Sequence, residues 1–353
     1  MAQFIKKVLI VAGMLYSLNN NFAAAQIKNS EPIEKISADS TIKKFSYAKE
    51  MLDMEKQAGF NVQESHYKTL DSLIKKTAGQ VHLSENPNDA KKDAVRNLST
   101  LDALFKNNKN AIDNKNLLLS DALNSKNFNS IHYLVLYLDV ASRKNLSLIP
   151  MKAGENIFVK YNFENSSYLN WETSFGIEQK DEVYKKLLKN SEVQEIKEIS
   201  KDEILAIEYR NIGKSFNENK EYKKAIEYFE KVATLNSEDF KSYKYQGDSW
   251  LGLNNFNKAV ENYALAIGLN SQFAEAYVAR ANLYYKEKSF GWALKDYSKA
   301  IELGYQTPEI YKIRAELLIK LDESKGDIWS ERKIPEQAQK DYLKILEMMQ
   351  MGK

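Results

Sequence analysis

The sequence predicts a mostly α-helical protein, in which an N-terminal helical region and a small α+β domain precede an α-solenoid of about four helical hairpins. Ala225, Ala259 and Ala293 recur every 34 residues inside matching aromatic patterns, as stacked helix pairs require. Only 13 Gly and 5 Pro interrupt 353 residues, which leaves little room for long flexible linkers and favours helices. Between residues 146 and 171, short runs rich in β-branched and aromatic residues read as strands instead.

Residues 1–25 differ from all that follows. Lys6 and Lys7 form a basic start, Val8 to Leu18 is apolar, and Ala23-Ala24-Ala25 places small residues before Gln26. Such an apolar run is short for a membrane span and fits a cleaved secretory signal. The expectation is therefore an exported chain, periplasmic or secreted after cleavage near Ala25. Residues 26–86 are rich in Lys, Glu and Ser, with helices expected over Ile42 to Gln57 and Glu64 to Thr77. They read as an amphipathic pair that packs on the next domain.

Composition excludes several kinds of chemistry. There is no cysteine, so disulfides, thiolate nucleophiles and thiolate metal sites are ruled out. Three histidines without i, i+4 pairing offer no metal constellation, and no Gly-rich phosphate loop is present. No cofactor and no metal are expected. The 51 basic and 48 acidic residues are interspersed, for a net charge of +3, a balance that builds no field suited to nucleic acid.

Residues 87–200 lack the 34-residue period. Leu117 to Asn124 and Ile131 to Ser142 carry helical apolar spacing, while Asn156 to Phe163 and Tyr168 to Trp171 read as strands joined by a turn at 164–167. The phrases Asn116-Leu-Leu-Leu-Ser-Asp-Ala-Leu123, Asn129-Ser-Ile-His-Tyr-Leu-Val-Leu-Tyr-Leu138, Ala153-Gly-Glu-Asn-Ile-Phe-Val-Lys-Tyr161 and Leu169-Asn-Trp-Glu-Thr173 occur in this order. In them the region resembles the transglutaminase-like, papain-type domain that bacteria often fuse to helical repeats. That resemblance implies a cysteine at a helix start, a histidine on the next strand and an Asp or Asn orienting it. Carried over by position, the three roles fall on Ser130, Asn156 and Asn170. A serine is a weak nucleophile without a base, and an asparagine amide accepts no proton. The resemblance thus implies a pseudo-enzyme with a degenerate triad, in which Ser130 caps a helix and the two asparagines satisfy strand hydrogen bonds. The alternative is a serine-dependent hydrolase or acyltransferase using Ser130 with an unconventional base such as Glu155 or Glu172. His132, about 200° around the helix from Ser130, points away from it, and nothing in the spacing brings His66 or His82 near.

From residue 206 the repeats take over. Tyr209, Tyr243 and Tyr277 lie sixteen residues before each alanine, and Phe216, Trp250 and Tyr284 nine before it. Gly213, Gly247 and Ala281 keep small the point where the two helices meet, and Phe229, Tyr263 and Tyr297 follow on the second helix. This is the pattern of the tetratricopeptide repeat (TPR), with units expected over 206–239, 240–273, 274–307 and 308–350. The last unit carries an insertion near 322–333 that holds Trp329 as a candidate partner anchor. Stacked hairpins of this kind form a concave surface that takes a peptide segment. The groove residues expected are Arg210, Lys214 and Asn217, then Lys241, Lys244 and Asp248, then Asn282, Tyr285 and Lys286. Their basic balance favours an acidic polypeptide partner.

Overall fold

The computed structural model describes residues 45–82, 90–105, 118–125, 128–154, 156–163, 166–173, 175–188, 195–323 and 334–351. The signal-like segment 1–25, Glu155, Trp329 and most of the expected insertion lie outside the described residues.

Helix α1 (Tyr47–Gln57) begins at Ser46, whose side chain accepts the Lys49 N–H. Helix α2 (Glu64–Gln80) is closed by a capping box in which His66 Nδ1 accepts the Gln63 N–H at 2.9 Å. Helices α3 (Ala90–Phe105) and α4 (Leu119–Ser125) follow. The central helix α5 (Ser130–Lys144) is buried without a break from Ile131 to Ala141. Such all-round apolarity requires cover on every side. Its N-cap is Asn129, which accepts the His132 N–H, and Ser130 is the first residue inside the helix. The capping role expected of Ser130 therefore belongs to its neighbour, because a histidine at the third helical position closes the box on Asn129.

A five-stranded antiparallel sheet follows, in the order β4-β3-β2-β1-β5. Its strands are β1 (Leu148–Ala153), β2 (Asn156–Asn162), β3 (Tyr168–Glu172), β4 (Ile177–Gln179) and β5 (Ile196–Glu198), and helix α6 (Asp181–Leu188) lies between the last two in the chain. Side chains alternate across a strand, and here each set has a different neighbour. Val159, Leu169 and Trp171 join the core built by α1 to α5. Phe158 faces the other way and stacks on Tyr184 of α6 at 4.0 Å, alongside Ala153 and Leu188. Helices α1 and α2 share one core with α5 and the sheet, so residues on both sides of position 86 bury a common apolar surface.

Four hairpins complete the chain: α7 (Lys201–Glu218) with α8 (Tyr222–Leu235), α9 (Phe240–Gly252) with α10 (Phe256–Leu269), α11 (Ala274–Lys286) with α12 (Phe290–Glu302), and α13 (Pro308–Glu323) with α14 (Glu336–Met351). A methyl group on Gly213 would lie 2.6 Å from the Phe229 ring, and one on Gly247 equally close to Tyr263. The small residue is thus enforced by the aromatic on the facing helix. Within the first three hairpins the turn contains a left-handed residue at the same 34-residue spacing: Lys220, Asn254 and Lys288, with φ of 63°, 58° and 56°. The array docks on the N-terminal helices through Met54, Leu118, Ile212 and Phe216, with the Phe60 ring 5.0 Å from that of Phe216.

Candidate peptide-binding groove

The first helices of the first three hairpins neighbour one another, which brings the expected groove residues of α7 and α9 together. Arg210 forms an ion pair with Asp239, the buried N-cap of α9, so one groove cation also joins two repeats. Lys244 pairs with Asp248 at 2.8 Å. Asp248 in turn accepts the Tyr263 hydroxyl at 2.9 Å. Asn217 accepts the Ser249 hydroxyl at 3.2 Å.

Lys214 stands apart from these pairs. It is half-buried, with Nζ 5.1 Å from the centre of the Tyr245 ring. Burial holds its ammonium below the usual lysine range; Glu218 opposes this, while Arg210, Lys241 and Lys244 push the same way. Four cations therefore act on one another at this end of the groove. Among the described residues, no carboxylate forms an ion pair with Lys214. A desolvated cation in such company gains from an anionic ligand more than a surface lysine does.

The remaining predicted residues fall one repeat on. Asn282 accepts the Tyr297 hydroxyl at 2.5 Å, matching the contact between Tyr263 and Asp248 one period earlier. In the first repeat the corresponding aromatic is Phe229, which has no hydroxyl to give, and the acceptor's place is taken by Lys214. Tyr285 is exposed and packs edge-on to Phe290, and Lys286 lies over the Phe256 ring. A cavity of about 250 Å³ opens between α9 and α11, where Leu251, Val278 and Ala279 meet Lys244, Asp248 and Asn282. Glu275 and Tyr305 also line it. Sequence reasoning missed the apolar lining and Glu275, although Glu275 and Val278 lie 34 residues after Lys241 and Lys244. The repeat period was signal enough to find them. It also shows that the groove changes character, from basic on α7 and α9 to mixed on α11.

The degenerate triad is not brought together. Asn156 pairs with Ala153 and Asn170 with Lys160, so they stand four residues apart along the sheet, about 13 Å at ~3.3 Å per residue. Strand parity puts both on the side of Phe158 and α6, whereas α5, which Ser130 begins, packs on the opposite side. Asn156 is exposed, and Asn170 is buried and donates to Asp181 at 2.6 Å. Glu172 shares their parity, and on that side of the sheet burial first, and then the nearby charge of Glu172, raise the pKa of the Tyr184 phenol. Glu172 therefore does not serve Ser130 as a base. The His132 ring is committed to its capping box, and His66 Nε2 lies 3.0 Å from Asn124 Oδ1. Among the described residues, no cluster of three or more His, Asp or Glu forms a metal site.

A family model for the tetratricopeptide repeat matches residues 209–239. No curated protein matches the chain. Among solved structures it is similar to MamA, at 21% identity and a TM-score of 0.36, over 42% of this chain and 80% of that one. It is also similar to the Sgt2 TPR domain from Aspergillus fumigatus, at 16% identity and a TM-score of 0.33, over 37% and 89%. A third is the first TPR of Spaghetti (RPAP3) bound to the HSP90 peptide SRMEEVD, at 20% identity and a TM-score of 0.32, over 33% and 93%. Residues 209–239 are a tetratricopeptide repeat, and the hairpins after it continue its helix-pair arrangement.

Proposed function

We propose that the protein is a non-catalytic, exported scaffold that holds an acidic peptide segment in the groove of its TPR array. The observation that carries this reading is Lys214, a half-buried ammonium beside Arg210, Lys241 and Lys244 that forms no ion pair with any described carboxylate. An incoming carboxylate would relieve its repulsion and restore the solvation it has lost. The adjoining cavity offers Leu251 and Val278 to an apolar side chain further along the same segment.

In this reading the middle domain is a body that supports the array, and its transglutaminase-like phrases mark a scaffold without acyl-transfer chemistry. The opposite sheet sides of Ser130 and the two asparagines support that view. Export is supported by the basic start, the apolar run and the alanines before Gln26, and N-terminal sequencing of the mature protein checks it.

The binding test uses the full chain and a fluorescein-labelled peptide of Asp, Glu and Leu, made with a free and with an amidated C terminus. Lys214→Ala is expected to weaken binding by about tenfold, the equivalent of about 1.4 kcal/mol. Equal loss for both peptides assigns the contact to side-chain carboxylates, and loss confined to the free acid assigns it to the terminus. Unchanged affinity in Lys214→Ala overturns the reading.

A further inference from the structure

Two acids meet where the array joins the N-terminal helices. Glu55 on α1 and Glu208 on α7 are both fully buried. Glu55 holds the start of α4, accepting the Leu119 N–H at 2.5 Å and the Ser120 N–H at 3.1 Å. Its carboxyl lies beside that of Glu208, close enough for each to act on the other. The seam around them is apolar, formed by Met54, Leu118, Ile212 and Phe216.

The groups that face the pair are few. From α4 the Ser120 hydroxyl reaches Glu55. From α2 the Tyr67 hydroxyl feels the charge of Glu55 but gives its hydrogen to Asp53. From α7 itself Asn211 lies beside Glu208. Among the described residues, the one charge acting on Glu208 is that of Glu55.

Neither Glu208 oxygen receives a well-formed hydrogen bond: the Asn211 amide lies close enough to favour the carboxylate, but its Nδ2 does not complete the contact. Two desolvated carboxylates in contact, with no counter-ion, do not both ionise. A single proton between them supplies the missing donor and removes the repulsion. Burial first, and then the charge of Glu55, push the Glu208 carboxyl well above the ordinary range. Burial also pushes Glu55 up.

We propose that this shared proton locks the first TPR helix onto the N-terminal helices, and that its loss at alkaline pH releases α7 from α1 and α4. The folded pair holds its proton more tightly than separated acids would, so docking is favoured at lower pH and weakened as pH rises. Because Arg210 and Lys214 ride on the same helix as Glu208, the lock also fixes where the basic end of the groove stands.

The chain has no cysteine, so two introduced ones can be labelled without background. Lys49→Cys on α1 and Asn219→Cys at the end of α7, both exposed positions, carry a donor and an acceptor dye for single-molecule energy transfer on the full chain. One proton changes the closed-to-open ratio by up to about tenfold per pH unit. Between pH 6 and pH 9 the open population is therefore expected to rise at least about tenfold. Glu208→Gln, whose amide supplies a donor with no titrating group, is expected to stay closed through pH 9. Glu55→Gln is the second variant should the first fail to fold, since it keeps an acceptor for α4 and donates to Glu208. Energy transfer that is unchanged with pH in the wild-type pair, or a folded glutamine variant that opens as the wild type does, overturns the proposal.

Discussion

Asp139 holds the start of α1 against the central helix. Its carboxylate accepts the Ser46 hydroxyl at 2.6 Å, the Tyr47 N–H at 2.8 Å and the Ala48 N–H at 3.2 Å. Burial outweighs these donors and the nearby Arg143, and its pKa is pushed up to about 6. The folded value lies above that of an unfolded aspartate, ~3.9. Folding therefore favours the protonated form, and this group's contribution to stability is complete below about pH 4 and is lost as pH rises through 6. A rise of that size corresponds to about 3 kcal/mol. Urea midpoints measured from pH 4 to pH 7 should fall less steeply in Asp139→Asn than in the wild type, and identical slopes would contradict this account. Nothing in the sequence marked Asp139, because a single acid inside an apolar helix shows its partner only once α1 is seen to start on it. Ser130 teaches a related lesson: Asn129 and Ser130 are both good caps, and the choice between them depends on His132.

At the level of elements, the repeats were legible because apolar and aromatic positions recur through three full units. Two ion pairs inside the array were not. Arg280 grips Asp296 with two hydrogen bonds of 2.7 and 2.9 Å, and Arg314 grips Asp341 with two of 2.8 and 2.5 Å. The two arginines are one period apart, but the first two units carry Ile212 and Gln246 at that position, and the insertion displaces Asp341. Both pairs are largely buried, so removing one partner strands a charge. Asp296→Ala should cost about 3 kcal/mol in urea unfolding, while Arg280→Met combined with Asp296→Leu should recover most of that loss. A double variant as unstable as the single one would show that the pair itself, and not the stranded arginine, sets the cost. The middle domain was less legible for a different reason. β4 and β5 have three residues each, too few to display an alternation, and they exist as strands only by pairing with β3 and β1. The two asparagines could be placed on strands from sequence, but which sheet face α5 covers depends on packing that no local pattern carries.

For the whole molecule, the decisive contact is the one between the array and the helices before it. Tetratricopeptide hairpins interact mainly with their neighbours, so the stability of each depends on the interface on either side. The first hairpin has α1 and the residues beside it as its N-terminal neighbour: Met54 and Phe60 cover Ile212 and Phe216, and Glu55 meets Glu208. A segment of residues 201–353 alone would expose that surface, and Glu208 would face water without Glu55. The loss should be felt most in α7 and α8 and fade along the array, because α11 and α12 keep both of their neighbours. Amide exchange of residues 212–229 is therefore expected to run at least about tenfold faster in the segment than in the full chain, a change of roughly 1.4 kcal/mol in local opening. Exchange in residues 276–300 should match between the two. Uniform acceleration along all four hairpins would mean that the array folds as one cooperative block, and no acceleration in α7 would mean that the N-terminal helices do not support it.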